Sequence, residues 1–103
     1  MIIKITVETE TGEHRAKVFD SFGLLTKLIE RSDLTDTSIC LRFIDPYGDT
    51  VFNKLQMKPL LREIKALAST AESQQEKDLL LEIEKLAMDV EQNMHTYLKF
   101  YGD

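Results

Sequence analysis

"IKITVETETGEHRAKVF", residues 3–19, decides the fold class. Ile3, Ile5 and Val7 alternate with Lys4, Thr6 and Glu8, and a period of two marks a strand with one face in the core. Gly12 follows in a turn, where it is free to take positive φ. Ala16 and Val18 then alternate with Arg15 and Lys17, so the chain opens with a β-hairpin.

Outward from the hairpin the period changes. Residues 20–32, "DSFGLLTKLIERS", place Phe22, Leu25, Leu28 and Ile29 on one helical stripe. Asp20 or Ser21 caps its first turn, and Gly23 weakens it. "SDLTDTS", residues 32–38, is a loop of side chains that bond their own backbone. Residues 38–44, "SICLRFI", are β-branched and aromatic enough for a strand, with Ile39, Leu41 and Phe43 inward. That strand ends at Asp45, because the residue before a proline is pushed to extended backbone and proline has no N–H for a ladder.

Asp45, Pro46 and Gly48 hold the first, second and fourth positions of a type I turn around Tyr47. Asp49 or Thr50 then caps a short helical turn returning Val51, Phe52 and Leu55 to the core. Pro59 fits the first turn of the next helix, which carries Leu60, Ile64 and Leu67. Ser73 and Glu76 have the spacing of a capping box. Leu79, Ile83, Leu86, Val90 and Met94 continue as a long stripe. "TYLKFY", residues 96–101, closes the chain as a strand with Leu98 and Phe100 inward.

The order is ββαβααβ. It predicts one α+β domain over residues 1–103, built on a four-stranded, mostly antiparallel sheet with helices on one face. The composition, 43% hydrophobic and 30% charged, suits a globular fold. A chain of 103 residues leaves little room for a deep cofactor cavity, and no cofactor is expected. The net charge of −5 opposes unselective binding to nucleic acid. The apolar runs are too short to cross a membrane. With no export leader evident and Cys40 the only cysteine, the cytoplasm is the expected compartment.

Chemistry-bearing patterns are sparse. There is no glycine-rich nucleotide loop and no zinc spacing. Cys40 reads as a packed strand residue, and His14 as a solvated one. His95 closes the long helix, where a protonated imidazole meets the dipole favourably. The acids of that helix read as a solvated face, although Asp89 and Glu91 sit at the end where the dipole disfavours them. No catalytic residue and no metal ligand are assigned.

One near-repeat stands out: "LRFIDPYGD" at 41–49 and "LKFYGD" at 98–103. Asp45, Asp49 and Asp103, with His95, would form an oxygen-rich cluster of the kind that holds hard cations. The expected antiparallel course places the two Tyr-Gly-Asp ends at opposite edges, which weighs against it. A cation-binding or cation-dependent hydrolytic site at the Asp45/Asp49 turn, beside Tyr47, is the alternative reading. The segments "FIDPYGDTVFNKLQM" and "HTYLKFYGD" resemble a family of small bacterial proteins of about this length. The likeness covers the second half of the chain well and the N-terminal hairpin poorly. It implies a bacterial, cytoplasmic protein and brings no activity and no catalytic residues.

Strand alternation supplies the leading functional expectation. The face turned away from the helices collects Lys4, Thr6, Glu8, Arg15, Lys17, Cys40, Arg42, Tyr97, Lys99 and Tyr101. Its cations Lys4, Arg15, Lys17, Arg42 and Lys99 oppose only Glu8, and Tyr97 and Tyr101 add contact area. Tyrosine and arginine are favoured at interfaces. The expectation is a non-enzymatic protein-binding or inhibitor-like module that receives an acidic protein partner there. Nucleic acid is the weaker alternative. Leu80 and Leu81 widen the apolar face of the long helix, which would serve a homodimer.

Overall fold

The computed structural model describes residues 2–32 and 38–102. The element order is β1 (Ile3–Thr9), β2 (His14–Asp20), α1 (Leu24–Arg31), β3 (Asp49–Phe52), α2 (Met57–Ala68), α3 (Gln74–Gln92) and β4 (Thr96–Tyr101). Two short 3-10 turns, Leu41–Phe43 and Lys54–Gln56, flank β3. This is the α+β class expected from the ββαβααβ order. All pairings are antiparallel, and the strand order is β2-β1-β4-β3. Residues 33–37, most of the expected loop, lie outside the described residues.

Ile3, Ile5 and Val7 of β1 and Leu98 and Phe100 of β4 are buried in one core with Leu79, Ile83, Leu86 and Val90 of α3 and Leu60, Ile64 and Leu67 of α2. The ring of Phe52 meets Phe100 edge to face at 5.8 Å. The α3 stripe is therefore spent inside the chain. Leu80 is buried and Leu81 exposed, while Met94 lies beyond the helix end in solvent. The Ser73–Glu76 capping box is present in both directions. Gly23, in the left-handed region at φ 69°, precedes α1 rather than weakening its interior. Asp20 reaches forward to accept from the N–H groups of Leu24 and Leu25, and Phe22 is left exposed.

The third strand differs from expectation. Residues 38–44 form no strand, and among Ile39, Leu41 and Phe43 only Leu41 is buried. The cause is Glu63 of α2. Its buried carboxylate accepts from the Ser38 hydroxyl and from the N–H groups of Ile39 (3.0 Å), Cys40 (3.1 Å) and Leu41 (2.9 Å). Three successive donors directed at one carboxylate cannot alternate across a ladder. The fourth place in the sheet goes instead to Asp49–Phe52, which the sequence pattern had suggested as a helical turn. Of Val51, Phe52 and Leu55, only Phe52 reaches the core. Asn53 and Gln56 form the capping box that starts the following 3-10 turn.

This shift reverses the expected placement of the Tyr-Gly-Asp segments. One begins β3 and the other ends β4, so antiparallel pairing brings them side by side, with Asp49 opposite Tyr101. Gly102 N–H donates to Gly48 O at 2.8 Å. A Cβ at Gly102 would overlap the Pro46 carbonyl and lie 2.8 Å from Asp45 O, so the close backbone approach requires glycine.

Candidate functional site

The sheet face away from the helices is built by side-chain alternation on all four strands. Pairing aligns Phe19, Lys4, Tyr101 and Asp49 in one row, then Lys17, Thr6, Lys99 and Val51, then His14, Glu8 and Tyr97. Two residues of this face are buried, Thr6 and Glu8, and Glu8 is only 3% exposed. Its carboxylate accepts from the Thr6 hydroxyl at 2.7 Å and from the Tyr101 hydroxyl. Lys99 Nζ stands 3.3 Å away and His14 Nε2 3.6 Å away.

Burial by itself pushes the Glu8 carboxyl up. The hydrogen bonds from Tyr101, Thr6 and Lys99, with the charge of Lys99, outweigh that and hold it below the ordinary value. The same contacts act oppositely on the phenol. Burial, the bond to Glu8 and the charges of Glu8 and Asp49 push Tyr101 up to about 12. Tyr101 is thus a neutral donor at physiological pH, with its ring available to cations: Lys4 Nζ lies 4.7 Å from the ring centroid. Lys17 Nζ lies 5.9 Å from the centroid of the exposed Phe19 ring. A shallow depression of 340 Å³ lies between Tyr97, Lys99, Val51 and the hairpin turn at Thr9, Glu10 and Gly12.

Lys4, Lys17, Tyr97, Lys99 and Tyr101 therefore share this face. Three expected members do not. The register shifts between Val7 and Glu8, so His14 rather than Arg15 sits opposite Glu8. Arg15 instead gives a two-pronged bond to Asp89 of α3, at 3.3 and 3.2 Å. Arg42 lies in the first 3-10 turn with its guanidinium 4.7 Å from the Phe43 ring. Cys40 is buried beside Glu63, and burial, with that carboxylate, pushes its thiol up to about 11, which removes it as a nucleophile at neutral pH.

The Asp45–Asp49 segment is a built turn. Gly48 N–H donates to Asp45 O at 3.3 Å, and Asp45 Oδ1 accepts from Tyr47 N–H at 2.9 Å. Thr50 Oγ1 accepts from Asp45 N–H at 2.9 Å, and Tyr47 stands exposed at the tip. Asp103 lies outside the described residues. His95 is at the opposite end of β4, where it takes φ 59° and pairs through Nδ1 with Glu10 at 3.1 Å. It stands beyond the end of α3 rather than capping it. Among the described residues no group of three His, Cys, Asp or Glu is placed to hold a metal ion.

Glu8 and Glu63 escaped the sequence-based assignment of roles. Glu63 carried a signal: with Leu60, Ile64 and Leu67 it falls at i, i+3, i+4, i+7, an acid on the apolar face of its helix. A carboxylate there must have polar partners. Comparison with known family models, with curated proteins and with solved structures finds no match to this chain.

Proposed function

We propose that this chain is a non-enzymatic protein-binding module whose outer sheet face receives an acidic partner protein. The observation that carries the reading is the buried Glu8. Removing a carboxylate from water costs free energy unless its partners compensate. The network stabilises the fold itself, and it also fixes the positions of Tyr101 and Lys99 before any contact is made. Preorganised side chains lose less entropy on binding. Lys4 and Lys17 stand on the aromatic rings beside this centre, and exposed Phe19 and Val51 border it on the two edge strands. Helix α3 carries an acidic excess, with Asp78, Glu82, Glu84 and Glu91 against Lys77 and Lys85. That excess turns an acidic partner away from α3.

The buried free thiol of Cys40 suits a reducing compartment, and with the family resemblance the reading is a bacterial cytoplasmic protein. The test is crosslinked capture from bacterial extract with the wild-type chain and with the doubly substituted Lys4→Glu/Lys17→Glu chain. Both substitutions leave the Glu8 centre in place, so circular dichroism should be unchanged. The reading expects one acidic protein to be captured by the wild type and lost with the variant. Retention of the same partner by the variant, or capture of RNA in its place, refutes it.

A further inference from the structure

The two edges of the sheet are built differently. Edge β2 carries Arg15, Lys17 and a register shift, features that discourage pairing with another strand. Edge β3, "DTVF", has neither a lysine nor a bulge. The Gly102–Gly48 bond fixes the phase of its ladder, so the N–H and C=O groups of Asp49 and Val51 point away from β4. Among the described residues no backbone hydrogen bond joins residues 38–44 to this edge. Val51 is 50% exposed, and the capping box of Asn53 and Gln56 holds Leu55 at 87% exposure just beyond.

Charge along this edge runs in one direction. Asp49 stands at the start of β3, and Lys54 and Lys58 follow its end. Neither Asp49 nor Lys54 makes an ion pair among the described residues. A strand acidic at its start and basic after its end is complementary to itself when the second copy runs antiparallel. We propose that a second copy of this chain pairs antiparallel along β3 about Val51, each Asp49 facing the other copy's Asn53–Lys54. The result is a continuous eight-stranded sheet with the two outer faces side by side. Such an interface is isologous, so it closes as a dimer and leaves the protected β2 edges at both ends.

Light scattering on the eluting protein tests this. The expected mass for the wild type is twice 11.9 kDa. Val51→Lys places like charges at the two-fold axis and should give one chain, with unchanged circular dichroism because Val51 is outside the core. Asp49→Lys alone and Lys54→Asp alone should each weaken association, and the two together should restore the dimer. A monomeric wild type, a Val51→Lys dimer, or a double reversal that fails to recover the wild-type mass overturns the proposal. Lys4→Glu/Lys17→Glu should leave the mass unchanged, which separates this interface from the binding face.

Discussion

Replacing Glu63 with alanine tests why residues 38–44 form no strand. The carboxylate serves four donors, and three of their residues, Ser38, Cys40 and Leu41, are buried. Ile39 is exposed, so its N–H can recover water. An orphaned buried donor costs about 1–3 kcal/mol. Water entering beside Ile39 and relief from burying a charge reduce the sum, so the expected loss is about 3–5 kcal/mol. That is a large part of the roughly 5–15 kcal/mol that holds a domain together. Glu63→Gln keeps one acceptor oxygen but turns an NH₂ toward the same donors, and should cost about 2 kcal/mol. Urea unfolding followed by circular dichroism gives both values, provided the slope stays constant. Hydrogen exchange should show amides 39–41 losing protection before those of β1 and β4. A loss under about 1 kcal/mol for the alanine variant would refute the account, because the segment would then be held by something else.

Two further outcomes follow from the sheet. The folded pKa of Glu8 lies below the ordinary value of 4.5, so its stabilisation is present above that pH and lost as pH falls through the folded value. Tyr101 has the opposite sign: raised from 10.0 to about 12, it stabilises fully below pH 10 and loses that contribution as pH rises toward 12. Tyr101→Phe removes the phenol from both transitions, so thermal midpoints should fall at a higher pH on the acid side and an NMR titration should place Glu8 higher than in the wild type; an unmoved Glu8 titration contradicts the network. Gly102→Ala drives a methyl into the Pro46 carbonyl and breaks the bond to Gly48, with an expected loss of about 1–3 kcal/mol in urea unfolding. Gly48→Ala meets only the movable Asp45 carboxylate and should cost less.

The parts of this fold that were legible in the sequence are those decided by near neighbours. Alternation in residues 3–9 and 14–20, the Ser73–Glu76 box and the stripe from Leu79 to Val90 each carry their cause within a few positions. The parts that were not legible are decided by a distant polar group. "SICLRFI" has the side chains of a strand, but its N–H groups are claimed by a helix residue more than twenty positions away. With that segment removed from the sheet, "DTVF" takes the vacant place, and the two Tyr-Gly-Asp segments move from opposite edges to adjacent strands. The make-up of the outer sheet face also turns on a distant polar group. Asp89 looked misplaced at the C-terminal end of a helix, and Arg15 looked like one more cation on a wet face. Each resolves the other: the bulge turns Arg15 toward α3, and Asp89 accepts its guanidinium. Glu91, disfavoured in the same way, forms no ion pair among the described residues. With Arg15 turned to α3 and Arg42 in the 3-10 turn, the outer face keeps Lys4, Lys17 and Lys99 as its cations, beside the acids Glu8 and Asp49.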